Sequence, residues 1–247
     1  MITVDGVTHR FGDTAVLDTM SLQIDAGRFA GLVGPSGCGK STLLKILAGL
    51  LAPDDGTAQI DGSSVIARPG RTAYMPQRDL LLPWRRTLGN ATVGAEIAGV
   101  PRREAETRAR RLLGRFGLEG FDRAWPAQLS GGMRQRLALL RTFLCGQDVL
   151  LLDEPFGALD AITRRDMHAW LQQVLADDPR TVLLVTHDVE EALMLSDTVI
   201  VLSDRPARIV KELPVTFDRP RTTDLVTDQA FSAAKATLLE ALEAGRN

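Results

Sequence analysis

Residues Gly34-Pro35-Ser36-Gly37-Cys38-Gly39-Lys40-Ser41 fill the pattern G-x-x-x-x-G-K-[ST], whose spacing suits one chemistry, the gripping of a nucleoside triphosphate. The glycines let the backbone curl so that successive N–H groups face phosphate oxygens at the positive end of a helix. Lys40 is placed to reach the β- and γ-phosphates and the Ser41 hydroxyl to ligate Mg²⁺. Thr42 completes the candidate phosphate-binding set. Cys38 has two readings, a thiol activated by the helix N-terminus that gates nucleotide binding, or a small residue tolerated in the loop.

A second group of residues bears on the same chemistry. The apolar run Val149-Leu150-Leu151-Leu152 ends in Asp153 and Glu154, two carboxylates at a strand exit. Asp153 is suited to support Mg²⁺, and Glu154 to orient or deprotonate an attacking water. In Leu129-Ser130-Gly131-Gly132-Met133-Arg134-Gln135-Arg136, Ser130 is a good helix N-cap. Gly131 and Gly132 leave backbone N–H groups open beside it, which makes a further phosphate site without a lysine.

These groups need strands that end together and helices that start there. Continuous apolar runs at 29–33, 149–152, 182–185 and 199–202 predict strands buried on both faces of a mainly parallel sheet, with 41–50 a helix after the first. Segments 2–11 and 16–24 alternate and flank Gly12-Asp13, which predicts an antiparallel hairpin, with 57–60 a third strand of that smaller sheet. From about 78 to 146 the strand signal stops. Pro101 begins an Arg-rich amphipathic helix over 102–116, in its first turn, and 131–144 reads as another helix. The expected organisation is one α/β domain over 1–247: a core from 1–77 and 147–247 carrying the antiparallel part, with a helical lobe at 78–146 set into it. A last helix is expected at 229–244.

Composition narrows the class. Lys+Arg 29 against Asp+Glu 31 leaves a net charge of −2, too little field to gather a polyanion, so no nucleic-acid partner is expected. Cys38 and Cys145 make neither a disulfide framework nor a metal-ligand spacing. The N-terminus lacks the features of a signal peptide, and no apolar run approaches the ~20 residues of a membrane span. A soluble intracellular protein is the expectation.

The ordered set of P-loop, LSGGMRQR, LLLDEP and Thr186-His187-Asp188 resembles the ATP-binding subunit of ABC transporters over nearly the whole chain. The resemblance implies the P-loop NTPase core of the ABC ATPase fold, with ATP and Mg²⁺ as ligands. It implies that Phe11 stacks on adenine and that Gln77 contacts Mg²⁺ and the water while linking the site to a permease. His187 matches the histidine on the γ-phosphate, and Asp160 lies in the loop that crosses between subunits. Ser130, Gly131 and Gly132 are implied to close over the P-loop of a second copy in a head-to-tail dimer. His9 and His168 have no such setting and read as surface or packing residues.

Leu80-Leu81-Leu82-Pro83-Trp84, Glu154-Pro155-Phe156-Gly157 and Ser203-Asp204-Arg205-Pro206 look like importer ATPases of the nitrate/sulfonate/taurine group, which includes carriers of thiamine-precursor pyrimidines. Transmembrane permease subunits, an extracytoplasmic solute-binding protein and a place on the cytoplasmic side of the membrane are implied with it. Residues 80–84 either line a permease groove or pack the hinge between lobes. The Arg-rich helix is either a solvated face or a contact for anionic lipid. The other class is an ABC-type ATPase of nucleic-acid metabolism. Those chains carry a long coiled coil for which the interval between Lys40 and Ser130 leaves no room.

Overall fold

A computed structural model describes residues 1–246. β1 (Ile2–Phe11) and β2 (Thr14–Ile24) form an antiparallel hairpin about Gly12-Asp13. β3 (Phe29–Val33) leads through the P-loop into α1 (Lys40–Leu47). β4 (Asp55–Ile60) pairs antiparallel on the other side of β1, and the short β5 (Ser63–Ser64) follows it, giving a sheet of order β2-β1-β4-β5.

After β6 (Ala73–Met75) the chain is helix and loop: α2 (Thr87–Ile97), α3 (Arg102–Leu113), a 3-10 turn at Pro126–Gln128 and α4 (Gly131–Phe143). Strands then alternate with helices: β7 (Val149–Asp153), α5 (Ala161–Asp177), β8 (Thr181–Val185), α6 (Val189–Leu195) and β9 (Thr198–Leu202). The edge strand β10 (Ile209–Pro214) and α7 (Gln229–Ala244) come last.

The second sheet has the order β10-β9-β3-β8-β7-β6. Its five strands from β9 to β6 are parallel, and only β10 runs against them. Alternate residues of each strand serve two cores. Phe29, Leu150, Leu152, Leu184 and Val201 face a cluster with Phe116, Leu137 and Trp170 from the helices. Ala30, Leu32, Leu151, Leu183 and Ile200 face α1 and the inner side of the first sheet, among Leu43, Leu44, Ile2 and Val4. Burial on both faces is why these strands read as unbroken apolar runs. Each buried leucine or isoleucine contributes about 1.5–3 kcal/mol to holding the layers together.

Helix ends differ from the sequence expectation. The helix after the P-loop stops at Leu47 and not at 50, because Gly49 takes φ +73 where an added Cβ would strike the Arg68 backbone. The Arg-rich helix stops at Leu113, followed by Gly114 and by Gly117 at φ +60, and Pro101 is its N-cap and not a first-turn residue. Its buried stripe is Ala105, Ala109 and Leu113, four residues apart on one face. On the outer face Arg102, Arg108 and Arg110 pair with Glu106, Glu104 and Asp122. Among the described residues no helix is long and apolar enough to cross a membrane.

Candidate active site

Four neighbouring parallel strands deliver the predicted residues to one edge of the sheet. Leu32 of β3 lies opposite Val185 of β8, Val185 opposite Asp153 of β7, and Met75 of β6 opposite Leu152. The residues just beyond those positions are the P-loop, Thr186-His187, Glu154 and Pro76-Gln77. They emerge together at the carboxyl ends of the strands, where open α/β sheets take their ligands.

In the P-loop, Gly37 takes φ +77 and Gly39 φ +131. A Cβ on Gly39 would stand 2.9 Å from Leu17 Cδ2 and 3.1 Å from the Val16 carbonyl, so glycine is required there. Gly39 N-caps α1 with no side-chain acceptor, which leaves the first-turn N–H groups facing the loop. Lys40 is buried, and its Nζ donates to the Gly34 carbonyl at 2.7 Å and the Pro35 carbonyl at 2.8 Å. Ser36 and Gly37 are exposed, while Ser41 and Thr42 are half-buried on the first turn of α1. Cys38 is buried, and burial pushes its thiol up despite the ammonium of Lys40 nearby. Desolvation outweighs the neighbouring cation there.

Asp153 ends β7 as a buried carboxylate. Burial raises its carboxyl, and the Ser41 hydroxyl and Lys40 ammonium beside it act in the opposite sense. Tyr74 on β6 is pushed up to about 12 by burial and by the charge of Asp153. These residues fit Mg²⁺. The donors are hard oxygens, one carboxylate and one hydroxyl beside the phosphate loop, and Mg²⁺ usually takes only one or two protein ligands and fills its octahedron from phosphates and water. No cluster of three His, Cys, Asp or Glu side chains is needed, and none occurs among the described residues.

Glu154 leaves the strand geometry at φ +49, a left-handed conformation that costs a residue with a Cβ about 1–2 kcal/mol. Two bonds hold it there: its N–H donates to the Val185 carbonyl at 2.9 Å, and Gln135 Nε2 donates to its carbonyl at 3.3 Å. The side chain then sits between two partners. Oε2 accepts from Gln77 Nε2 at 3.0 Å, and Oε1 lies 3.5 Å from His187 Nδ1. Such an arrangement can hold a water against a phosphate and receive its proton.

Phe11, Ser130, Gly131, Gly132 and Asp160 are not part of this cluster. Ser130 caps α4, accepting from the Met133 N–H at 3.2 Å. Gly132 lies against Leu159 and Ala158. Asp160 caps α5 through the Ile162 and Thr163 N–H groups, and those bonds lower its carboxyl. No hydrogen bond joins these residues to Lys40, Asp153 or Glu154 among the described residues. Phe11, at the end of β1, is 53% exposed with its ring edge-on to His9 at 4.6 Å. His9 is buried, and His168 is buried against Glu191 at 3.0 Å, so both are packing residues.

Sequence reasoning gave no role to Tyr74, Gln135, Arg134 or Arg141. The last two bond the segment after Gln77, and Arg164 joins the Leu159 carbonyl to Asp188 beside His187. Asp79, Glu154 and Asp188 lie far from these residues in sequence, so no local spacing signals the contacts. Trp84, 71% exposed, lines a cleft of about 520 Å³ with Arg85, Arg86 and Trp125.

Comparison with known proteins places the chain. The family described as ABC transporter matches residues 17–157. An aliphatic sulfonates import ATP-binding protein, SsuB 1, of Rhodococcus jostii is 48% identical, over 96% of this chain and 91% of that protein. A taurine import ATP-binding protein, TauB, of Pseudomonas aeruginosa is 46% identical, over 92% of this chain and 88% of that one. The solved dimeric structure of a bacterial ABC transporter cassette superposes with a TM-score of 0.78 at 29% identity, covering 88% of this chain and 100% of that one. The same cassette in a post-hydrolysis state bound to ADP and phosphate also gives 0.78. By sequence over most of its length and by fold, the chain belongs to the ABC transporter family.

Proposed function

We propose that this chain is the ATP-hydrolysing subunit that powers uptake of a small solute through a membrane permease. The observation that carries the reading is Glu154, held between Gln77 and His187 at the sheet edge that also bears the P-loop. Backbone N–H groups of the P-loop and the first turn of α1 bind the phosphates, and Lys40 Nζ reaches the β- and γ-phosphates. Ser41 and Asp153 would hold Mg²⁺, which neutralises charge on the transferring phosphoryl group when bound. A water held by Gln77 and Glu154 attacks the γ-phosphorus. Its proton passes to a Glu154 oxygen as the bond to the β–γ bridging oxygen breaks, and ADP and phosphate leave. His187 donates to a γ-phosphate oxygen. A positioned base of this kind is worth about 10²–10⁴-fold in rate.

The site is completed by a second copy. Ser130 and the N–H groups of Gly131 and Gly132 stand apart from their own P-loop at an exposed helix start, and they cap the γ-phosphate on the other copy, with Asp160 beside the crossing. Phe11 supplies a π face for adenine. The cleft at Trp84 receives the permease, since an exposed tryptophan among arginines is a strong interface anchor. Residues 78–146 act as the helical lobe between that contact and the core. The chain thus works as a peripheral protein on the cytoplasmic face, in a system with an extracytoplasmic solute-binding protein. The named relatives point to a small alkanesulfonate such as taurine as the solute.

The test is reconstitution with its permease and solute-binding protein in liposomes, reading phosphate release. Taurine or an alkanesulfonate should stimulate ATP hydrolysis severalfold in the presence of the binding protein. Stimulation by another solute alone would overturn the sulfonate assignment, and a complex that never releases phosphate would overturn the motor.

A further inference from the structure

Two arginines of α4 grip the segment that follows Gln77. Arg141 donates Nη2 to the Asp79 carbonyl at 2.6 Å and Nη1 to the Leu80 carbonyl at 2.9 Å. Arg134, two turns earlier on the same face, donates Nε to Asp79 Oδ2 at 3.0 Å and Nη1 to the Leu129 carbonyl at 2.9 Å. Asp79 Oδ1 takes the Leu81 N–H at 3.2 Å, so both carboxylate oxygens are engaged. Between these bonds Leu80 is held at φ +42, a conformation that branched side chains avoid.

The chemistry is expensive for a mere anchor. Arg141 lies in surroundings that push its guanidinium below the usual arginine range by desolvation, and it forms no ion pair among the described residues. A leucine at that position would pack the loop without the penalty. What a guanidinium adds is direction, since two fixed donors set two consecutive carbonyls and so fix the path of the backbone. Two residues upstream on that backbone, Gln77 donates to Glu154. At the other end of the same α4, Ser130 is the cap.

We propose that Arg134 and Arg141 are positioning residues: they set the Gln77 amide on Glu154 and bind that placement to the helix that carries Ser130. The proposal rests on the roles given above to Gln77, Glu154 and Ser130. A shift of α4 when Ser130 engages nucleotide on the second copy displaces Asp79 and therefore Gln77. A pull at Leu80 or Trp84, both exposed, acts on the same backbone. Hydrolysis then proceeds only when α4 is in its engaged position.

A mutant cycle on the full chain tests this through steady-state phosphate release over a range of ATP concentrations. Arg134→Ala and Asp79→Asn should each lower kcat about tenfold with KM for ATP within about twofold, as expected for a misplaced orienting group. Neither should lower kcat further when combined with Gln77→Ala, because both act through that amide. Arg134 and Asp79 are partly exposed, so these variants keep the fold, and an unchanged melting temperature checks it. Equal losses in the parental and Gln77→Ala backgrounds would reduce the clasp to a buttress and overturn the proposal. Parental rates in Arg134→Ala and Asp79→Asn beside a slow Gln77→Ala would overturn the clasp alone. A parental rate in Gln77→Ala itself would overturn the role of Gln77, and the clasp with it.

Discussion

Gln77 Nε2 donates to Glu154 Oε2 at 3.0 Å across 77 positions of sequence. The bond joins the exits of β6 and β7, adjacent parallel strands, so it depends on sheet register more than on either local segment. The other carboxylate oxygen faces His187, whose side chain is 64% exposed. Glu154 is therefore restrained in direction and still open to a substrate.

The proposal that Ser130 completes the site of a second copy makes a prediction about mixed dimers. One Lys40→Ala chain and one Ser130→Arg chain, paired through two tags, should trap one ATP per dimer, while either mutant homodimer traps little. In the mixed pair one interface carries both lesions and the other carries none. Absence of trapped nucleotide in a confirmed mixed dimer would return Ser130 to a helix cap within its own chain.

Trp84 should matter for assembly and little for folding. Its ring is largely in water, so Trp84→Ala should leave the melting temperature of the free chain within about 2 °C and its ATP affinity unchanged. Recovery of the permease complex should fall several-fold, as for loss of an aromatic anchor. Full recovery together with a lowered melting temperature would show that the residue packs the hinge.

Cys38 should be a slow thiol. Burial raises it, so at any pH below its titration the thiolate fraction is smaller than for an ordinary cysteine and grows only as pH rises. Alkylation followed by mass spectrometry should modify Cys38 more slowly than a model thiol at pH 8. Faster labelling would restore the reading of an activated gate.

The parts of this site that the sequence declares are contiguous. The P-loop and the Asp153-Glu154 pair each lie in one short segment after an apolar run, and the strands at 29–33, 149–153, 181–185 and 198–202 are visible because both their faces are buried. Gln77 and His187 carry no local signal, and only the family resemblance marks them. The helix α2 has a weak local signal for a physical reason. Its sequence holds Gly89, Gly94 and several β-branched residues, and it has no side-chain cap. Tertiary bonds fix its start: buried Asn90 accepts the Leu82 N–H at 2.7 Å and donates to the Arg85 carbonyl at 2.8 Å. β10 was hidden by its Lys-Glu pair and terminal Pro214, which suit an edge strand. Arg134 and Arg141 look like ordinary surface arginines until the fold brings Asp79 and Leu80 beneath them.

The most direct measurement is ATP turnover by Glu154→Gln. The amide keeps the size of the side chain and can still hold a water near Gln77, but it cannot take the proton. ATP affinity should stay within about threefold of the parent, and kcat should fall by about 10²–10⁴. With hydrolysis blocked, added ATP should convert the monomer to a stable dimer in light scattering. A Glu154→Gln chain that turns over ATP at the parental rate would contradict the account, since among the described residues no other carboxylate shares the contact with Gln77.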